Sequence, residues 1–390
     1  MTALPNNAMK ALRITGCILV VCGLFQAGCA MMSVYDNDLF QGQAAMRQGR
    51  LQAASEHLRR YTEVKLHPRN TVLTCMEVGN LCRLTGELTT SLQFFDKAEN
   101  TMERLFSQPE FKISSEGLSA ITNPRALPYQ GKNYERIMLN TYKALIYMRL
   151  GAFAEARVEL RKAYEWQAEA IHRNRRRIER AQEAAKSGGK QAQRYDVQKA
   201  LDDPAFRKGI DSIYSSLDKF NAYADYVNPF CEWLQALYHM TVPAESADLN
   251  RAEKSLERVI GMTEKNRYLV EDLELAQKRA KGEDLPAITY VILATGNVPD
   301  IGQVRLDIPL FLVSDEVDYI GASFPYLIED KSYINSVAIH TKEGIFDTTL
   351  LADMDRVAAH EFKNNLPIVI TRTLISTAVK ATLAGATRNA

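Results

Sequence analysis

The sequence predicts a mainly α chain in which an array of paired helices is followed by a small α+β unit. Three observations carry this. Small and apolar residues recur at helical spacing on either side of Gly49, Gly86 and Gly151. From Phe153 to about Lys186 there is neither Pro nor Gly, and Ala, Glu, Arg and Gln dominate. Beyond Asp284 the period changes to alternating β-branched residues broken by turn residues. A length of 390 residues allows two or three folding units. With 46% hydrophobic and 24% charged residues, neither a polytopic membrane protein nor a disordered chain fits. Lys and Arg total 48 against 47 Asp and Glu, so no general field favours nucleic acid, and no nucleic-acid partner is expected.

At the start, Lys10 and Arg13 precede an uncharged stretch from Ile14 to Met32 with the apolar heart Ile18-Leu19-Val20-Val21. These are the charged and apolar regions of a secretory signal. The stretch runs into Gln26-Ala27-Gly28-Cys29, which resembles a bacterial lipobox with Gln26 where Leu is usual. The resemblance implies a lipoprotein signal peptide over residues 1–28 and a lipid-bearing, palmitoylated Cys29 as the mature N-terminus. Ala30 follows, without the Asp of an inner-membrane retention signal, so the expected place is the cell envelope, at the outer membrane facing the periplasm. Two other readings stay open: an uncleaved single span, and ordinary cleavage after Gly28-Cys29-Ala30. Cys17 and Cys22 leave with the signal, and the folded part keeps Cys75, Cys82 and Cys231. An odd number makes a poor disulfide framework, and Cys75 and Cys82 stand about 10 Å apart along a helix. They read as buried small apolar residues. No Cys–His spacing fits zinc.

The array is expected over residues 29–284. Its first segment aligns Gly42, Ala45, Gly49, Ala54, Leu58 and Tyr61; the second aligns Gly79, Cys82, Gly86, Ser91, Phe95 and Ala98. The third, Ala144, Tyr147, Gly151, Ala156, Leu160 and Ala163, is the cleanest. Those offsets are the tetratricopeptide pattern, in which two antiparallel helices interlock through small residues around a turn glycine. The turn glycines lie 37 and 65 residues apart, so one step is a single repeat and the next holds an insertion. That inserted loop, about residues 105–132, carries Pro109, Pro124 and Pro128. A long helix over about 153–186 is expected to project from the array until Ser187-Gly188-Gly189 ends it. A fourth pair runs from Pro229 to Met262, with Asn228 as N-cap, Pro229 as first helical residue and Ala252, Leu256 and Val259 at the second helix's packing offsets.

The α+β unit is expected over residues 285–390. Strand candidates are Ile288–Leu293, Val304–Leu312, Tyr319–Leu327, Ser332–His340 and Ile345–Thr349. Two helices follow, Leu351–Asn364 and Pro367–Ala384.

Taken in order, Met76-Glu77-Val78-Gly79-Asn80 with Ser91 to Glu99, Tyr134-Glu135-Arg136 with Tyr142-Lys143-Ala144, and Ala156-Arg157-Val158-Glu159-Leu160-Arg161 form a recognisable series. Asn228-Pro229-Phe230, Gly296-Asn297-Val298-Pro299 and Phe362 through Lys380 complete it. The series resembles an uncharacterised bacterial lipoprotein family with a tetratricopeptide-like helical body. The resemblance implies location and architecture rather than a reaction. The family's last helix carries three basic residues spaced by four, where this chain has Arg372, Ser376 and Lys380. Members continue past that helix, which leads to the expectation that the terminal unit is incomplete.

Catalytic patterns fail one by one. His360-Glu361 has Asn364 where a zincin needs its second His, and Gly321-Ala322-Ser323-Phe324-Pro325 lacks the second glycine of a nucleophile elbow. Gly188-Gly189-Lys190 lacks the P-loop spacing. The expectation is a non-catalytic scaffold that needs no cofactor and holds an envelope protein partner. Phe220, Tyr223, Tyr226, Phe230, Trp233 and Tyr238 are the candidates to line a partner groove, with core packing between helices as the other reading. Arg173, Arg175, Arg176, Arg177 and Arg180 form the strongest basic cluster, either a solvated helix face or a dock for anionic lipid or cell-wall polymer.

Overall fold

The computed structural model describes residues 41–42, 44–46, 48–64, 66, 68–107, 128–191, 197–223, 226–263, 266–309 and 319–388. The signal region, Cys29 and most of the inserted loop lie outside these residues. The chain divides into two compact units, Met1–Thr101 and Met102–Ala390.

In the first unit, α1 (Leu51–Val64) and α2 (Thr71–Thr85) are followed by the start of α3 (Leu88–Ser107), within which the unit boundary falls. Gly49 and Gly86 take φ of 72° and 87°. Gly86 closes α2 in the left-handed conformation that L side chains resist, and the Glu87 N–H then returns to the Cys82 carbonyl at 2.8 Å. The small residues act as expected. A Cβ added at Gly79 would meet the Phe95 ring at 2.6 Å, and the buried Ser91 hydroxyl donates to the Gly79 carbonyl at 2.6 Å. Ala54, Leu58, Val78, Leu81 and Cys82 form the core of this unit.

The second unit holds the third pair, α4 (Asn133–Arg149) and α5 (Phe153–Gln191), around Gly151. Ala144, Ala156, Leu160 and Ala163 are at most 1% exposed, so the register read from sequence is the packing register. Two short helices, α6 (Val197–Asp202) and α7 (Pro204–Tyr214), lead to the fourth pair, α8 (Pro229–Thr241) and α9 (Ser246–Met262). Ala252, Leu256 and Val259 are buried between them. A further helix, α10 (Arg267–Ala280), packs on α9 through Leu269 and Ala276.

Two antiparallel hairpins follow: β1 (Asp300–Pro309) with β2 (Tyr319–Ile328), and β3 (Ala338–His340) with β4 (Ile345–Asp347). The first pairs Val304 with Phe324 and Leu306 with Ala322. It rests on α7, where Leu306 meets Gly209 and the Phe324 ring lies 6.2 Å from Phe206.

Four sequence expectations need correction. Ile288–Leu293 belongs to no β-ladder: Tyr290 turns inward to bond Asp272 at 2.7 Å, so the segment lies across helices instead of beside a strand. Strand β3 covers only the end of Ser332–His340, because Asp330 holds Ser332 in a local turn. The helix begun at Phe153 passes Ser187-Gly188-Gly189 to Gln191, and it does not simply project: Ala170 and Asn174 are buried and the last helix lies along it. That last helix, α11 (Met354–Arg388), is one element running through Pro367. A mid-helix proline costs about 3 kcal/mol, but Val357, Ala359 and Glu361 before it and Ile368, Leu374 and Ile375 after it are all buried, which holds both halves in line.

Candidate functional site

Asn228 organises the entry to α8. Its Oδ1 accepts from the N–H groups of Phe230 and Cys231 at 3.0 and 3.4 Å, the N-cap expected of Asn before Pro. Its own N–H donates to Gln167 Oε1 at 2.8 Å, and Gln167 Nε2 donates to Glu232 Oε1 at 3.2 Å. Burial pushes the Glu232 carboxyl upward, against the pull of Arg258. Cys231, fully enclosed here, has its thiol pushed up to about 12 by burial; Cys75 and Cys82 are likewise free and buried.

The six aromatics expected to line a groove are placed mainly inside. Trp233 donates from Nε1 to Asp272 at 2.9 Å and meets Tyr290 edge-on at 5.6 Å, while Phe230 stacks on it at 6.0 Å. Tyr238 is buried and donates its hydroxyl to the Phe153 carbonyl at 2.7 Å. Tyr223 accepts the Asp353 N–H at 3.3 Å beneath the Arg356 guanidinium, and Tyr226 sits edge-on to His360 at 4.8 Å. Phe220 and Phe230 keep part of their surface in solvent. The rings lie at several separate junctions, and the polar ends of Tyr223, Trp233 and Tyr238 bond internal partners.

The basic cluster is dispersed in the same way. Arg173 stacks over the Phe106 ring at 3.7 Å, Arg176 pairs with Glu169 at 2.6 Å, and Arg177 donates to Asn365 Oδ1 at 3.1 Å. Arg175 and Arg180 are exposed.

Three buried carboxylates make long-range ties that no local pattern announces. Glu361, on α11, accepts from the N–H groups of Asn133 and Tyr134 at 3.0 and 3.1 Å and caps α4 from a distant part of the chain. Burial pushes its carboxyl upward, and those two N–H groups work the other way. Glu159 on α5 meets Lys143 on α4 at 3.0 Å and accepts from Asn140 at 2.7 Å. Asp248 accepts both of its Arg157 contacts at 2.8 and 2.9 Å, and also the Ala244 N–H. Burial opposes its charge, yet the Ala244 N–H and Arg157 hold the carboxyl down at about 2. Local pattern marks Asp248 as a first-turn acid of α9; its long-range partner is a tertiary fact.

These groups cap, tie and neutralise. Among the described residues no three His, Cys, Asp or Glu side chains converge as metal ligands would, and no described helix is long and apolar enough to cross a membrane. The outward face of the third pair differs: Leu150, Phe153, Val158 and Tyr164 are all more than 40% exposed.

The tetratricopeptide repeat family matches residues 143–169, within α4 and α5. Among solved structures, the chain is similar to the nearly identical TPR-like repeats of a Podosopora anserina protein named for kinesin light chain, at 12% identity and a TM-score of 0.25. That match covers 63% of this chain and 96% of the other. It is also similar to a tetratricopeptide repeat protein from Parabacteroides merdae, at 16% identity and a TM-score of 0.17, covering 62% of this chain and 98% of that one. No curated protein sequence matches. The body of this chain is a tetratricopeptide-like helical array followed by a small part with two antiparallel sheets.

Proposed function

We propose that this chain is a lipid-anchored envelope protein that holds a protein partner on its helical-repeat surface and performs no reaction itself. The observation that carries the scaffold reading is the third pair. Its interior follows the tetratricopeptide register, while Leu150, Phe153, Val158 and Tyr164 of the same pair stay exposed. These exposed apolar side chains are interspersed with the exposed charges Glu155, Arg161 and Glu165, a mixed make-up that suits a partner surface. Anchoring rests on the sequence around Cys29. In cells, crosslinking followed by pull-down is expected to recover one dominant protein with wild type and to lose it with Val158→Lys and Tyr164→Glu at unchanged helicity. Sedimentation of the purified protein with cell wall alone, unaffected by those changes but abolished by Arg175→Glu and Arg180→Glu, would instead establish direct polymer binding and end the scaffold reading.

A further inference from the structure

His239 lies in the last turn of α8 and is 6% exposed, and its Nδ1 stands 3.4 Å from Asp248 Oδ1 without a hydrogen-bond partner among the described residues. The carboxylate it faces is fully buried and already occupied. Arg157 Nη2 reaches both oxygens at 2.9 and 2.8 Å, Arg251 Nη1 reaches Oδ1 at 2.9 Å, and the Ala244 N–H reaches Oδ2 at 2.9 Å. A carboxylate offers about four acceptor places, and these contacts fill them. Neutral His239 fits this arrangement with its proton on Nε2 and Nδ1 bare.

Acid changes the count. A proton on Nδ1 adds a donor with no acceptor left, and a third cation beside one carboxylate, out of water. The charged groups set against His239 are Arg157 from α5 and Asp248 and Arg251 from α9, with the Tyr238 ring edge-on at 5.8 Å. Among the described residues, α4 and α10, which also pack on α8, add no charge to this set. Burial and both guanidiniums oppose the imidazolium, Asp248 favours it, and the imidazole is held below its ordinary value. Stability is therefore full above about 6.5, the unfolded value, and falls as pH drops from there through the folded value.

We infer that the His239–Asp248 corner is an acid-sensitive latch: when His239 takes its second proton, the end of α8 and the start of α9 part from Arg157 at the start of α5. The three helices meet at this corner, since Tyr238 also donates to the Phe153 carbonyl. Opening loosens Phe153 to Val158, a stretch of the third pair that carries exposed apolar side chains. For its use the latch rests on the reading of a partner held on that pair; its opening does not.

The test follows hydrogen exchange of the full chain in mild detergent from about pH 7.5 to about pH 5, corrected for the intrinsic pH dependence of exchange. Local opening at Tyr238 to Arg251 and at Phe153 to Val158 is expected to rise below about pH 6.5 by up to about tenfold per pH unit, one proton being linked. His239→Gln should hold it flat. Arg251→Gln, at a side chain 56% exposed, removes one cation and frees one acceptor place on Asp248, so the rise should be several-fold smaller. Glu232 on the same helix and Asp355 at the start of α11 are pushed upward by burial, so acid protonates them with a gain of stability, opposite in sign. A wild-type rise that is absent, spread evenly along the chain, kept in His239→Gln or larger in Arg251→Gln would overturn the inference. In cells, the crosslinked partner should be lost in acid medium with wild type and kept with His239→Gln. Equal loss in both would overturn the use of the latch; recovery of no partner at any pH would remove the partner reading, and the exchange result then decides the latch alone.

Discussion

Replacing Glu361 by Ala should unfold the start of α4 before the rest of the molecule. The Glu361 carboxylate, 4% exposed, accepts from two main-chain N–H groups of the first helical turn at 3.0 and 3.1 Å, and from Asn133 Nδ2 at 3.2 Å. Hydrogen bonds to a charged group contribute about 1.5–3 kcal/mol each, and a buried donor left unsatisfied costs a similar amount. Two stranded main-chain donors therefore suggest about 3–5 kcal/mol. Burial of the carboxylate, which raises its pKa, offsets part, so a net loss of about 3 kcal/mol is expected. Glu361→Gln keeps one acceptor oxygen and should lose only about 1 kcal/mol. Urea unfolding followed by circular dichroism gives the two losses, and hydrogen exchange should speed up first at Tyr134 to Ile137. An Ala variant within about 0.5 kcal/mol of wild type, or one whose exchange rises uniformly along α4, would refute the capping argument.

Other expectations follow from the same packing. Ala156→Arg places a charge at a fully buried contact and should cost about 4 kcal/mol, whereas Gly151→Val meets open space and bears only the φ of 73°, about 1–2 kcal/mol; equal melting of Ala156→Arg and wild type would show the repeat register to be wrong. The Asp248 carboxyl is held at about 2, below its unfolded value near 4, so its stabilisation is present above that unfolded value and lost as pH falls toward 2. The stability difference between wild type and Asp248→Asn should therefore shrink by on the order of 2 kcal/mol between pH 5 and pH 2, read by urea titrations, and a pH-independent difference would contradict the assignment. Cys29→Ser should abolish incorporation of labelled fatty acid and release the chain from membranes; normal labelling of the variant would remove the anchoring proposal. A fragment ending at Asp284 lacks Glu361 and the Val357 and Ala358 contacts with Tyr134, so it should remain helical yet melt well below the whole chain; equal melting points would show that α11 adds nothing to the array.

What the sequence determined by itself is the part of the structure governed by short-range spacing. Gly79 and Ser91, Gly151 and Ala156, and Asn228 with Pro229 announced helix pairs and their register because a helix–helix contact every three or four residues needs small side chains, and a turn or cap needs a particular backbone group. The same short-range pattern marked β2 as a strand, while its pairing and register with β1 belong to the tertiary structure. Tertiary structure decided the rest. Pro367 reads locally as a helix start, but burial on both sides makes α11 continuous, and packing outweighs a local preference of about 3 kcal/mol. Ile288–Leu293 reads locally as a strand, but a strand needs a neighbour, and Tyr290 found Asp272 instead. The aromatics from Phe220 to Tyr238 are legible as apolar surface; whether that surface faces a partner or Asp272, His360 and the Phe153 carbonyl depends on helices more than twenty residues away, and no local pattern encodes that distance.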